Sequence, residues 1–127
     1  MTSQSAQRNK RVLVIEDEFY IADDLVTALL AAGLEVVGPA YSVPQALACI
    51  ESAPDIDGAI LDLNLRKQLA FRVADALSSR EIPFLITTGY DSQQLEPRYR
   101  HIARFQKPFD PANVVARLRD GMAAKRG

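Results

Sequence analysis

Five short apolar runs divide the chain, and stretches with helical spacing lie between and after them. Branched and aromatic side chains are concentrated in these runs, which is typical of strands buried in a sheet. Because strands and helices alternate along the sequence, the pattern predicts an α/β protein in which a parallel sheet lies between two layers of helices. The runs cover residues 11–15, 35–41, 57–63, 82–87 and 101–106.

Helix start and stop signals fall between the runs. Gly33 is placed to end the first helix, whereas Ser42 and Asp110 are predicted N-caps of later ones. Residues 88–100 contain a proline and have a poor apolar stripe, so any helix there should be short and mobile. Helices are therefore predicted over residues 18–32, 42–52, 70–80 and 110–122.

The length of 127 residues fits one domain, for which we predict residues 10–123, with a disordered arm (1–9) and a short tail (124–127). A net charge near −1 gives no reason to expect a nucleic acid or a membrane surface as a partner. The sequence has no apolar run of transmembrane length, no signal-peptide pattern and a single cysteine, Cys49. These features predict a cytoplasmic protein with an inert buried thiol.

Acidic residues follow two of the predicted strands. Glu16 and Asp17 come directly after the first run, and Asp62 lies near the end of the third. Right-handed crossovers favour the flavodoxin-like strand order 2-1-3-4-5, in which the carboxyl ends of strands one and three meet at the ligand crevice. Three carboxylates in one crevice repel one another unless a cation holds them, and hard oxygen ligands with open positions suit Mg²⁺.

The fourth and fifth runs end in residues that would complete a site for phosphoryl transfer. The stretch TTG brings Thr87 or Thr88 to the same edge of the sheet, and QKP brings Lys107 there. A metal ion, a hydroxyl group and an ammonium group around one carboxylate suit the transfer of a phosphoryl group to Asp62. The metal ion and Lys107 would offset the charge on the phosphoryl oxygens.

The motifs VIEDE, LDLNL, TTGY and KPF, in this order and spacing, resemble the receiver domain of two-component response regulators over about residues 10–122. The resemblance implies that Asp62 is the phosphoacceptor and that Asp17 binds Mg²⁺ directly. Glu16 takes a position where the family usually has aspartate, and it would act through water. Asn64 would lend its backbone carbonyl to the metal.

The same resemblance assigns the remaining site residues. Thr88 would bind a phosphoryl oxygen and move with it, because TG normally follows the apolar strand in this family. Lys107 would pair with the phosphate, and the Lys107–Pro108 bond would be cis. Arg104 stands where the family usually has its switch aromatic, a role that Phe105 or Tyr90 would then have to take.

The resemblance implies a stand-alone receiver, because only AAKRG follows the last predicted helix. Its phosphoryl donor would be a sensor histidine kinase or a histidine phosphotransfer protein, and it would signal to an unknown downstream protein as a monomer or weak dimer. The surface of the fourth and fifth helical regions and the last strand would change on phosphorylation, and Arg98 and Arg100 would contact the partner there.

Other functions remain open from the sequence. A phosphorylation-independent interaction module with the receiver fold would keep the fold without the chemistry. An aspartyl-nucleophile phosphatase would have its nucleophile on the first strand and would require an aspartate at the position of Asn64. A flavodoxin-like FMN binder would need a phosphate loop rich in Ser, Thr and Gly where Glu16, Asp17 and Glu18 stand.

Overall fold

A computed structural model describes residues 9–53, 55–65, 68–89 and 97–126. Their strands are β1 (Arg11–Ile15), β2 (Glu35–Ala40), β3 (Gly58–Asp62), β4 (Asn64–Leu65), β5 (Gln68–Leu69), β6 (Phe84–Thr88) and β7 (Arg104–Gln106). Their α-helices are α1 (Phe19–Ala31), α2 (Val43–Ser52), α3 (Phe71–Ser79) and α4 (Pro111–Arg126), and Pro97–Tyr99 forms a turn of 3₁₀-helix. Within the described ranges, no helix has the length and apolar character needed to cross a membrane.

The main sheet is parallel and has the strand order β2-β1-β3-β6-β7. Counted among these five strands alone, the order is 2-1-3-4-5, so the predicted α/β fold class and its strand order are confirmed. Strands β4 and β5 form a separate antiparallel pair that the sequence analysis did not predict. Each has two residues, which is too short for an alternating pattern to be recognised.

Buried side chains form one cluster on each face of the main sheet. Helices α2 and α3 cover the face that includes Leu61 and Ile86. Helices α1 and α4 cover the face that includes Ile60 and Leu85. Because successive residues of a strand point to opposite faces, the same alternation decides which face each polar residue at the strand ends occupies.

The helix ends follow the predicted signals. Gly33 follows α1 with a φ of 81°, a left-handed conformation that suits glycine. The Ser42 hydroxyl accepts a hydrogen bond from the Gln45 amide, and Asp110 Oδ1 accepts one from the Ala112 amide at 3.0 Å. Both predicted N-caps are therefore present.

Some expectations differ from the structure or fall outside it. Helix α4 extends to Arg126, beyond the predicted helix end at residue 122, because alanine, lysine and arginine continue a helix readily. Cys49 is only partly buried, at the margin of the α2/α3 cluster. The predicted disordered arm and the predicted mobile helix fall largely on residues 1–8 and 90–96, which lie outside the described residues.

Candidate functional site

The carboxyl edge of the main sheet carries a row of four polar residues, which we call the edge row. Glu16 follows β1, Asp62 ends β3, Thr87 is the penultimate residue of β6, and Lys107 follows β7. Asp62 and Thr87 are register partners on neighbouring strands. Strand alternation places all four on the face that α1 and α4 cover. Four neighbouring strands therefore direct polar groups to one region.

Lys107 reaches along the edge row and contacts three carboxylates. Its Nζ lies 3.0 Å from Glu16 Oε1 and donates hydrogen bonds of 3.2 Å to Asp62 Oδ2 and Glu18 Oε1. Burial alone would lower the pKa of Lys107, but the charges and hydrogen bonds of Asp62, Glu16 and Glu18 together raise it. The ammonium group therefore stays protonated and is the cation that compensates this cluster among the described side chains.

Glu16 is the most deeply buried carboxyl group of the site, with 1% of its surface exposed. Burial raises its pKa to about 8, and the charge of Asp62 acts in the same direction. The Glu18 amide donates a hydrogen bond of 2.9 Å to Glu16 Oε2, and this contact and Lys107 partly oppose the rise in pKa. Negative charge is therefore crowded at this point of the sheet edge, even with Lys107 in place.

The predicted acidic cluster is assembled in a form that fits a divalent cation. One oxygen atom each of Glu16, Asp17 and Asp62 lies within 4.8 Å of the other two. Asp62 Oδ1 also accepts a hydrogen bond of 3.1 Å from the Asn64 amide, which fixes the carboxylate. Hard carboxylate oxygens, together with the raised pKa of Glu16, are the features expected where a hard cation such as Mg²⁺ binds.

The two adjacent threonines of β6 point to opposite faces of the sheet. Both are buried. Thr87 lies on the face of Asp62, whereas Thr88 follows Ile86 on the face that α2 and α3 cover. The Thr88 carbonyl accepts a hydrogen bond of 2.7 Å from the Lys107 amide, which ties the end of β6 to the segment that follows β7. The sequence left Thr87 and Thr88 as alternatives and the resemblance favoured Thr88, whereas Thr87 is the threonine in register with Asp62.

The faces of the sheet also decide which residue could replace the switch aromatic that the family usually has at the position of Arg104. Arg104 pairs with Ile86 and so lies on the face of Thr88. Phe105 packs against the cluster under α1 and α4, on the opposite face, and cannot act beside Thr88. Tyr90, the other predicted substitute, lies outside the described residues. The lysine–proline bond between residues 107 and 108 is cis, as the resemblance implied.

Tyr99 is a buried aromatic that the sequence analysis did not single out. Its ring stacks on Phe71 at 6.2 Å between ring centroids and meets Phe84 edge-on at 6.1 Å. Its hydroxyl donates a hydrogen bond to Asp75, which also forms an ion pair of 2.9 Å with Arg98. These contacts anchor the 3₁₀ turn to α3. The only signal in the sequence was an aromatic residue within a charged stretch.

Glu18 is a second residue that the prediction left out of the site, although it stood third in the acidic run. It also lines a groove of about 420 Å³ beside the edge row, together with Ile21 of α1 and Phe109 of the segment before α4. At the start of α1, Phe19 and Tyr20 are 61% and 81% exposed. The margin of the site therefore combines acidic groups with exposed aromatic surface.

Known proteins share this fold and part of its sequence. SdrG from Sphingomonas melonis is 36% identical, and the match covers 91% of this chain and 97% of SdrG with a TM-score of 0.79. A response regulator receiver domain protein (CheY-like) from Methanospirillum hungatei is 24% identical, and the match covers 94% of this chain and all of that chain with a TM-score of 0.81. The chain belongs to the response regulator receiver domains.

A curated relative of this receiver domain is the transcriptional regulatory protein PdtaR of Mycobacterium tuberculosis, which is 29% identical over 119 residues. The match covers 90% of this chain but 57% of PdtaR, so the chain spans little more than half the length of that relative. No protein-family model matches the chain. Receiver domains are signalling domains of two-component systems, and they interact with histidine kinases or phosphotransfer proteins.

Proposed function

We propose that this receiver domain accepts a phosphoryl group on Asp62 from a phosphohistidine of a sensor histidine kinase or histidine phosphotransfer protein. The observation that carries the proposal is the contact of 3.2 Å between Lys107 Nζ and the buried carboxylate of Asp62 within the acidic cluster. A carboxylate oxygen of Asp62 forms the new P–O bond while the P–N bond of the donor breaks. The electron pair of that bond stays on the imidazole nitrogen, which then takes up a proton.

The residues around Asp62 have distinct parts in this proposal. Lys107 transfers its hydrogen bonds from the carboxylates to the phosphoryl oxygens, because its ammonium group already lies 3.2 Å from Asp62 Oδ2. Thr88, at the end of β6, donates its hydroxyl to a phosphoryl oxygen beyond the end of the strand.

The acidic cluster fits Mg²⁺, for which Asp17, Asp62 and the Asn64 carbonyl would be ligands and Glu16 would act through water. When bound, Mg²⁺ supplies positive charge that offsets the phosphoryl oxygens and the crowded carboxylates.

The donor protein must contact the margin of the site, because its histidine has to come within bonding distance of Asp62. The exposed rings of Phe19 and Tyr20 and the groove beside Lys107 lie at this margin. Exposed aromatic side chains of this size supply binding energy when a partner covers them. We therefore assign this margin to the phosphoryl donor.

The output surface in our proposal comprises the 3₁₀ turn, β7 and α4. Arg98 is held by Asp75 within the domain, so Arg100, which is exposed next to it, is the stronger candidate for contact with a downstream protein. Replacing Arg100 with glutamate should weaken the binding of that protein, whereas the same change at the exposed Arg72 of α3 should not. Equal affinities for both variants would argue against this surface.

The first test is intact-mass spectrometry after incubation with acetyl phosphate, with and without Mg²⁺. We expect a Mg²⁺-dependent adduct of one phosphoryl group in the wild type and in Asp23→Asn, which changes an exposed aspartate of α1. We expect no adduct in Asp62→Asn. If the wild type gains no adduct from acetyl phosphate or from a phosphohistidine donor, the domain is instead a phosphorylation-independent interaction module.

A further inference from the structure

We propose that Thr87 is a second hydroxyl ligand of the phosphoryl group, in addition to the Thr88 position that the family resemblance assigns. In this proposal Thr87 Oγ1 donates a hydrogen bond to an oxygen of the acyl phosphate formed on Asp62. The inference rests on the proposed function of Asp62 and extends it to a residue whose side chain lies in the edge row.

The hydroxyl group of Thr87 is unexplained by the fold itself. Thr87 is fully buried, and within the described parts of the chain its Oγ1 has no hydrogen-bond partner. A buried hydroxyl without a partner is destabilising, whereas valine has the same shape and no such cost. Valine, like threonine, is β-branched and suits a strand. A hydroxyl at this position therefore indicates a partner that is acquired in another state of the protein.

The position of Thr87 identifies that partner. Its register partner is Asp62, and both side chains point to the face that α1 and α4 cover. Strand β6 lies between β3 and β7, so the Lys107 side chain has to cross β6 to reach Asp62. The hydroxyl of Thr87 thus lies in the row between the phosphoacceptor and its cation, in a region closed to bulk water.

Phosphorylation changes the hydrogen-bond acceptors at this point of the row. The acyl phosphate on Asp62 has three terminal oxygens on phosphorus and one acyl carbonyl oxygen. The free side chain has only two carboxylate oxygens, which already accept hydrogen bonds from Lys107 and Asn64. Lys107 would turn toward the phosphoryl oxygens, which frees an acceptor beside Thr87. Hydrogen bonds to charged acceptors are stronger than neutral ones, and loss of one such bond weakens binding about tenfold or more.

The test uses beryllofluoride, a stable mimic of the phosphoryl group, titrated in the presence of Mg²⁺ and followed by NMR. We expect Thr87→Val to bind beryllofluoride about tenfold more weakly than the wild type and to shorten the lifetime of the acyl phosphate. Thr87→Ser, which keeps the hydroxyl, should stay within about threefold of the wild type. Thr87→Val should also raise the urea midpoint of the unphosphorylated protein, because it removes an unpaired buried hydroxyl.

The outcomes separate this inference from the proposed function. If Thr87→Val binds beryllofluoride as tightly as the wild type, Thr87 is not a ligand, even if the variant is more stable. If Thr87→Ser loses affinity as strongly as Thr87→Val, the effect is one of packing, and the inference is also wrong. If the wild type itself neither binds beryllofluoride nor forms the acyl phosphate, the proposed function fails and this inference fails with it.

Discussion

Replacing Lys107 with methionine should destabilise the unphosphorylated domain, and a divalent cation should restore much of the loss. Methionine retains most of the aliphatic length but removes the charge that three carboxylates share. Asp62 and Glu16 are almost fully buried, so they cannot exchange the lost partner for bulk water. The substitution therefore tests whether Lys107 is the main electrostatic support of the acidic cluster.

The size of the effect follows from the contacts of Lys107. At an effective dielectric constant of about 20, its ion pair with Asp62 at 3.2 Å corresponds to about 5 kcal/mol of gross Coulomb energy. Removal of one partner of a buried pair costs about 3–5 kcal/mol. We expect the lower end, about 3 kcal/mol, because the Lys107 side chain is 16% exposed and solvent therefore screens part of the pair. Glu18 is 61% exposed and adds little, since solvent screens its contact.

Urea unfolding at pH 7.5 without divalent cations measures this loss. The matched control is Lys10→Met, which removes a lysine at the opposite edge of the sheet and should change the free energy of unfolding by less than about 0.5 kcal/mol. Addition of Mg²⁺ should reduce the difference between Lys107→Met and the wild type. A loss no larger than that of the control would refute our account of the charge balance at the site.

Three further predictions concern stability. Gly38 has a φ of 87°, and a Cβ there would lie 2.8 Å from a backbone nitrogen, so Gly38→Ala should lower the free energy of unfolding in urea by about 3 kcal/mol or more. Gly33 has a φ of 81°, but a Cβ there would meet no atom within 4 Å. Gly33→Ala should therefore lower the free energy of unfolding by only about 1 kcal/mol. Tyr99→Phe should cost about 1 kcal/mol, because it removes the hydrogen bond to Asp75. Burial and, to a smaller extent, Asp75 raise the pKa of Tyr99, so the stability that its hydrogen bond contributes is present below about pH 10 and is lost above it. If Tyr99→Phe lost as much stability at alkaline pH as the wild type, this account of Tyr99 would be wrong. The pKa of Glu16 is raised to about 8, so the wild type without Mg²⁺ should lose stability as the pH rises from about 4.5 to 8. Glu16→Gln should flatten this plot of stability against pH. Parallel plots for the two proteins would show that Glu16 does not titrate in this range.

Much of this fold and of the candidate site follows from strand periodicity. Apolar runs identified the five strands of the main sheet, and the right-handed crossover rule together with the resemblance to receiver domains indicated their order. Once the order is known, residues at the carboxyl ends of parallel strands must be close to one another. Glu16, Asp62 and Lys107 could therefore be predicted as neighbours although they lie far apart in the sequence.

What the sequence could not predict depends on single-residue register or on side-chain reach. Thr87 and Thr88 are adjacent, so their side chains point to opposite faces of the sheet. Only the register between β3 and β6 shows that Thr87 lies on the same face as Asp62. Glu18 contacts Lys107 because the chain turns directly after β1, a local geometry that composition does not reveal. Tyr99 is buried by Phe71 and Phe84, two aromatic residues from separate elements, and no periodicity links the three.

The two threonines of β6 connect the proposed phosphorylation site to the helix layers on both faces of the sheet. One hydroxyl faces the layer of α1 and α4, and the next faces the layer of α2 and α3. If the phosphoryl group binds both, it gains affinity from the arrangement of both layers at once. Consider a protein that binds more tightly when either layer has its phosphorylated arrangement. Phosphorylation strengthens the binding of this protein by some factor, and by thermodynamic linkage the bound protein favours the phosphorylated state by the same factor. A downstream protein would then raise the equilibrium fraction of phosphorylated domain, from whichever side of the sheet it binds.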